Sequence, residues 1–111
     1  MARAADTLAQ AKTVDVTMQN DPVFNPVDVR IGVGDSVHWI NKGVLVHTVT
    51  FDPQQAIKAA NVVLPAGVAA FASADLSQDD AYSHTFTAKG TYKYVCKYHE
   101  EMGMTGTVIV S

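Results

Sequence analysis

The sequence contains a single cysteine, Cys96, among 111 residues, and this scarcity excludes an internal disulfide. It also has no apolar run that approaches the roughly 20 residues of a membrane-spanning helix. Positive charge is not in excess, because the net charge is −3, so the composition gives no indication of nucleic-acid binding. These absences leave a globular protein whose lone thiol is a buried hydrophobe, a reactive group or a metal ligand.

The length and the apolar fraction of the chain suit one folded domain. Of its 111 residues, 48% are apolar and 17% are charged, which is enough for one hydrophobic core. The first residues, "MARAADTLAQAK", lack the apolar centre of a signal peptide. We therefore expect a cytoplasmic protein or a mature form whose signal was removed, with residues 1–12 as an arm or short helix and residues 13–111 as the domain.

Apolar residues alternate with polar ones along most of the chain, and this is the period of a half-buried β-strand. Only residues 52–62 leave room for a short helical turn. Turns rich in Gly and Pro separate the alternating segments, which are "TVDVTM", "VDVRIGV", "SVHWIN", "AYSHTFT", "TYKYVC" and "TGTVIV". The pattern predicts an all-β protein, an antiparallel Greek-key β-sandwich of seven to eight strands.

The segment "CKYHEEMGM", residues 96–104, concentrates side chains that can bind metal. Cys96 and His99 are three residues apart, and Met102 and Met104 follow them. A thiolate, an imidazole and a thioether together are soft ligands, and they suit copper better than zinc, whose structural sites use more thiolates or a second histidine pair. The alternative interpretation is that the cysteine packs as a small hydrophobe.

A blue-copper site needs two histidines, one cysteine and a weak axial methionine, so a second histidine must come from another part of the chain. His47 is the best candidate, because it stands at the start of the predicted strand "HTVTF" after a short loop. His38 and His84 lie inside predicted strands, where a core or surface histidine is the more common case.

Several segments resemble the copper-binding segments of cupredoxins of the plastocyanin, pseudoazurin and amicyanin group: "GDSVHWIN", "VHTVTF", "LPAG" and "KGTYKYVCKYHEEMGMTGTVIV". The resemblance covers roughly residues 27–111. It implies a type 1 copper site with His47, Cys96 and His99 as equatorial ligands. It also implies that the backbone N–H of Thr48 donates a hydrogen bond to the thiolate and that its hydroxyl ties the two ligand loops together.

Two methionines compete for the axial position. The spacing in amicyanins would select Met102, and the spacing in plastocyanins and pseudoazurins selects Met104. In all these families the axial methionine stands just before x-Gly-x-Val, and "MTGTV" begins at Met104, so we expect Met104 to be the ligand. Met102 is then an apolar residue beside the exposed edge of His99. The residues before the two histidines, Val46 and Tyr98, are proline in many family members.

The resemblance implies a small electron carrier that moves one electron between redox partner proteins through one copper ion, as Cu(I) and Cu(II). Four protein ligands leave no open position for a substrate, so we expect no enzyme activity. By family, we expect an exported, periplasmic or equivalent protein, and a monomer. The alternatives are a copper chaperone or sensor, which needs exchangeable metal or a more open site, and a β-sandwich without metal.

The surface that docks a partner is expected around the exposed edge of His99. A small apolar patch suits a brief redox encounter. Glu100 and Glu101 beside it would favour a basic partner. The residues expected to form the patch are Leu45, Val46, Pro65, Met102 and Gly103.

Overall fold

The computed structural model describes residues 11–111. The expected arm or short helix over residues 1–12 falls outside this range except for Ala11 and Lys12, which are exposed and belong to no strand. Within the described range no helix is long and apolar enough to cross a membrane. The range contains nine strands: β1 (Thr13–Met18), β2 (Phe24–Asn25), β3 (Asp28–Ile31), β4 (Ser36–Asn41), β5 (Thr50–Phe51), β6 (Phe71–Ala72), β7 (Ala81–Thr85), β8 (Gly90–Val95) and β9 (Thr105–Val110).

Three short 3₁₀ turns complete the secondary structure of this range. Two of them, Pro53–Gln55 and Ala59–Asn61, occupy the region in which a helical turn was expected. The side chain of Asp52 accepts a hydrogen bond from the N–H of Gln54 at the start of the first turn, as an N-cap residue does. The third turn, Glu100–Met102, lies inside the segment "CKYHEEMGM".

The strands form two sheets, in the orders β2–β1–β4–β7 and β3–β9–β8–β5–β6. The all-β prediction is confirmed, with nine strands because β2 and β6 have two residues each and are too short to show alternation. Both sheets are mixed, since β1 pairs in parallel with β4 and β3 with β9. The antiparallel expectation is therefore only partly met, because alternation identifies the buried face of a strand and not the direction of its neighbour.

Aromatic side chains join the two sheets below the end of β8 that leads to Cys96. Trp39 of β4 is fully buried and meets Phe51 and Tyr94 of the other sheet edge-on, with ring centroids 5.8 and 5.5 Å apart. Its indole N–H donates a hydrogen bond to the Tyr94 hydroxyl over 3.0 Å, which satisfies both buried polar groups. Burial raises the pKa of Tyr94 far above its ordinary value, so the phenol remains a neutral acceptor.

Candidate metal centre

Three potential ligands converge at one end of the sandwich. Cys96 directly follows β8, His99 immediately precedes the turn Glu100–Met102, and His47 comes from the loop between β4 and β5. Their ligand atoms all lie within 4.8 Å of one another. The Sγ atom of Cys96 is 3.4 Å from Nδ1 of His99 and 3.7 Å from Nδ1 of His47. The fold thus brings together the three residues that the sequence singled out.

The two separations between the thiol and the imidazole nitrogens suit ligands that share one metal ion. Zinc sites supply reference bond lengths of about 2.0 Å to nitrogen and 2.3 Å to sulfur, and at trigonal angles such bonds hold the donor atoms about 3.5 to 3.7 Å apart. One thiolate and two imidazoles are the equatorial set of a blue-copper centre. The donor chemistry and the spacing therefore both fit a single copper ion.

The two methionines of the loop differ sharply in burial. Met104 is fully buried, and its carbonyl accepts a hydrogen bond from the N–H of Cys96 over 3.1 Å. Met102 is 69% exposed at the end of the turn Glu100–Met102. Of the two methionines, only Met104 is buried, as Cys96 is.

His47 is oriented by the segment that follows β1. Its Nε2 atom lies 2.5 Å from the carbonyl oxygen of Gln19, so the ring donates its Nε2 proton there and keeps Nδ1 free for a metal. Burial is the main cause that lowers the pKa of His47, the neighbouring His99 lowers it further, and the hydrogen bond to Gln19 opposes both. The neutral imidazole that results is the form that a metal binds.

Thr48 connects the two ligand segments, as the resemblance predicted. Its backbone N–H points at Sγ of Cys96 over 3.4 Å, and its hydroxyl accepts a hydrogen bond from the N–H of Lys97 over 2.9 Å. The hydroxyl of Thr50 lies 2.9 Å from that of Thr48 and completes a buried pair. Such contacts orient ligands and tune the metal that they hold.

The clustered ligands differ in their access to the surface. Cys96 and His47 are fully buried, whereas His99 is only partly buried. Exposed apolar side chains occupy both loops that carry a histidine. The expected members of this set are Leu45, Val46 and Met102, and sequence reasoning missed the exposed Val44, which precedes them in the same loop.

Pro65 does not belong to the expected docking patch. It packs against Gly90, the first residue of β8, where an added Cβ would meet the Pro65 Cγ atom at 2.6 Å. Cys96 follows the last residue of the same strand. Val63 forms an antiparallel bridge with Lys93 of β8. The chain that continues from Val63 to Pro65 therefore runs toward Gly90 and away from Cys96.

Glu100 also departs from the expectation, because it is buried instead of lying exposed at the rim. Its carboxylate accepts hydrogen bonds from the N–H of Ile57 at 2.7 Å, the N–H of Lys58 at 3.0 Å and the amide of Asn61 at 2.9 Å. Burial by itself would raise the pKa of Glu100, but these bonds and the charge of Lys58 lower it below its ordinary value. Of the two expected rim acids, only Glu101 is exposed.

The remaining histidines lie away from the cluster. The Nδ1 atom of His38 is 2.8 Å from the hydroxyl of Ser83 on the outer side of the four-stranded sheet. The ring of His84 stacks on Phe71 with centroids 3.7 Å apart. Neither ring is part of the group of potential ligands, in agreement with the expectation for mid-strand histidines.

Comparisons with known proteins agree with this geometry. The sequence model of copper binding proteins of the plastocyanin/azurin family matches residues 11–111. The chloroplastic plastocyanin of Tetradesmus obliquus is 39% identical over 95 residues, which cover 79% of this chain and 58% of that protein. The amicyanin of Paracoccus denitrificans is 34% identical over 107 residues, which cover 96% of this chain and 70% of that protein.

Solved structures lead to the same group of proteins. The oxidised form of an amicyanin variant aligns with a TM-score of 0.69 at 32% sequence identity, covering 88% of this chain and 81% of the other. The purple cupredoxin from Nitrosopumilus maritimus aligns with a TM-score of 0.69 at 24% identity, covering 88% of this chain and 99% of the other. The second of these demonstrates a shared fold.

Proposed function

Because this chain belongs to the plastocyanin/azurin family of copper-binding proteins, we propose that it is an electron carrier that moves one electron between redox partner proteins. The observation that carries the proposal is the cluster of one buried thiol and two imidazoles, whose ligand atoms lie within 4.8 Å. Copper, when bound, supplies the one-electron couple of Cu(I) and Cu(II). The protein supplies the ligands, their fixed positions and a route to the surface.

In the proposed site, His47, Cys96 and His99 would bind the copper ion together with the thioether of Met104. Two observations support Met104 over the exposed Met102. Met104 is fully buried, and its carbonyl accepts a hydrogen bond from the N–H of Cys96. Four ligands from the protein leave no open coordination position for a substrate. The proposed site therefore carries electrons and does not catalyse a reaction.

The surroundings of the ligands supply rigidity. His47 forms an antiparallel bridge with Leu76, with backbone hydrogen bonds of 3.1 and 2.8 Å, and Gln19 fixes its ring. The Cys96–Met104 hydrogen bond closes the loop that holds the other proposed ligands. Ligands held by packing and hydrogen bonds need not move when the electron arrives, so the reorganisation energy remains small.

The docking face of the proposal surrounds His99, which is the partly exposed member of the cluster. Leu45, Val46 and Met102 give this face an apolar surface, and a small apolar surface suits a redox encounter that must end quickly. The face expected from the sequence is thus retained without Pro65.

Charge contributes less to docking than the sequence suggested. Glu100 is buried and fully engaged, and Lys97 lies 3.9 Å from Asp75 in an ion pair. Glu101 remains as an exposed acid that can attract a basic partner. We therefore expect the association rate to depend only weakly on salt.

The setting of the proposed carrier is a space outside the cytosol, such as a periplasm. Its support is the family, in which matched plastocyanins from Tetradesmus obliquus and Physcomitrium patens are designated chloroplastic. The proposed organisation is one copper-binding domain over residues 13–111, acting as a monomer.

Addition of Cu(II) to the purified apo-protein tests the proposed function. The expected result is an intense visible absorption band that ascorbate bleaches and an oxidant restores. A thiolate bound to Cu(II) would give such a band by charge transfer, and reduction to Cu(I) would remove it. A colourless complex, or copper that is released rapidly to a chelator, would instead favour a chaperone or sensor. A protein that binds no copper at all would contradict both functions.

The two methionines provide a matched pair that tests the axial assignment. Met104→Leu is expected to shift the visible spectrum and to raise the reduction potential, because the loss of a sulfur donor destabilises Cu(II) more than Cu(I). Met102→Leu should leave both unchanged, since that side chain is exposed. Absorption spectra and redox titrations of both variants give the answer, and the reverse pattern would make Met102 the ligand.

A further inference from the structure

Glu100, the residue that directly follows His99, is one of two buried carboxylates among residues 11–111. Its Oε1 atom accepts from the N–H of Ile57, and its Oε2 atom accepts from the N–H of Lys58 and the side-chain amide of Asn61. These donors lie 39 to 43 residues away in the sequence. Hydrogen bonds to an ionised acceptor are the strong ones, so a single side chain joins two distant segments.

The donor segment depends on this carboxylate. The N–H groups of Ile57 and Lys58 precede the 3₁₀ turn Ala59–Asn61 and have no other acceptor in the described part of the chain. N–H groups at the start of a helical turn lack partners within the turn. The carboxylate of Glu100 therefore accepts the hydrogen bonds of two N–H groups that have no acceptor in the local backbone.

The other side of the link is the turn that carries the proposed copper ligands. The carbonyl of His99 accepts from the N–H groups of Met102 and Met104 over 3.0 and 3.3 Å, and the carbonyl of Glu100 accepts from Gly103 over 2.9 Å. Gly103 has a φ of 84° and ends the turn in the left-handed region. The backbone of Glu100 is thus part of the structure that sets His99 and Met104 relative to each other.

An open groove lies between this turn and the segment that donates to Glu100. A cavity of about 340 Å³ opens between the two segments. Its walls are formed by Ile57, Lys58, Asn61, Glu100, Glu101 and Gly103. Across this groove, the three hydrogen bonds of the Glu100 carboxylate join the turn to the segment 57–61.

We propose that Glu100 is a positioning residue of the copper site, whose carboxylate locks the turn Glu100–Met102 onto the segment 57–61 and so fixes His99 and Met104. The inference rests on the proposed copper function. It explains why an acidic residue is buried next to a ligand when an exposed one would be the default at a turn.

Glu100→Gln is the test variant and Glu101→Gln its matched control. Glutamine keeps the size of the side chain but turns an NH₂ group toward at least one of the three donors. We expect copper affinity, measured by chelator competition, to fall about 10- to 100-fold in Glu100→Gln, the range typical for partners of metal ligands. The visible spectrum should shift as well, and Glu101→Gln should match the wild type in both.

A purely structural role for Glu100 predicts a different result. The apo-protein would lose stability to urea while copper affinity and the visible spectrum stayed at wild-type values, and this outcome would overturn the inference. Asn61→Ala is the second test variant, to be used if Glu100→Gln does not fold. It removes one of the three hydrogen bonds by deleting the donor. We expect a smaller fall in copper affinity and a smaller shift of the visible spectrum. Wild-type values in Asn61→Ala would likewise count against the inference.

The failure of this inference and the failure of the proposed function are distinguishable. A wild-type protein that turns blue or green while Glu100→Gln binds copper identically overturns only the role of Glu100. A wild-type protein that binds no copper overturns the proposed function and this inference together.

Discussion

Cys96→Ser is expected to abolish the visible absorption band and to lower copper affinity by more than 100-fold. The Sγ atom lies 3.4 Å from Nδ1 of His99 and 3.7 Å from Nδ1 of His47. It also accepts a hydrogen bond from the backbone N–H of Thr48. The thiolate is the soft donor of the set, and a serine hydroxyl is a hard donor that remains protonated at neutral pH. Because changes to the partners of metal ligands already cost 10- to 100-fold, the loss of a ligand itself should exceed that range.

The same variant should leave the fold of the apo-protein intact. Serine has nearly the volume of cysteine, so no large cavity forms at this buried position. Circular dichroism and urea unfolding of the apo-protein should stay close to wild type. Copper should raise the Tm of the wild type through binding to the native state and leave the Tm of Cys96→Ser unchanged. An intense visible band in Cys96→Ser would remove Cys96 from the proposed ligand set.

The potential ligands could be predicted because they are concentrated in the sequence. Cys96, His99 and Met104 share one segment of nine residues, and a thiol, an imidazole and a thioether together form a soft donor set that suits copper. His47 was predictable because it stands at the start of the predicted strand "HTVTF", although the structure places it in the loop before β5, whereas His38 and His84 lie within strands. Local pattern was therefore sufficient to identify candidate ligands, whereas the choice of Met104 over Met102 came from the resemblance to cupredoxins.

The environment of the turn after His99 could not be predicted in this way. At the level of sequence, Glu100 and Glu101 are equivalent acids of one loop, and exposure is the default for both. Their difference arises from Ile57, Lys58 and Asn61, which lie about 40 residues away in a segment without periodic pattern. The direction of β-strand pairing and the position of Pro65 escaped prediction for the same reason, since both depend on contacts between distant segments.

Gly43→Ala is expected to weaken the fold and the proposed copper site together. Gly43 is buried, and an added Cβ would lie 2.7 Å from the carbonyl carbon of Gln19, 2.8 Å from the N of Asn20 and 2.5 Å from its Oδ1. Two of these atoms belong to backbone, so the neighbouring segment has to move. Overpacking of this kind costs about 1 to 3 kcal/mol in the free energy of unfolding.

The displaced segment is also the one that orients His47. The carbonyl of Gln19 accepts the Nε2 proton of that ring, and the side chain of Asn20 accepts from the N–H of Val44 in the same loop. Moving this segment should release the ring, so the visible band should shift and copper affinity should fall. Gly32→Ala is the matched control, because its Cβ would meet the nearest atom, a carboxylate oxygen of Asp35, at an ordinary 3.6 Å.

Urea unfolding of the apo-proteins and chelator competition of the copper-loaded proteins measure the two effects separately. Gly32→Ala should stay within about 0.5 kcal/mol of wild type and bind copper normally. A Gly43→Ala protein that loses stability but keeps the wild-type spectrum and affinity would mean that the bridge to Leu76 orients His47 without help from Gln19. A loss in both measurements would mean that the close approach at Gly43 is part of how this fold presents an imidazole to copper.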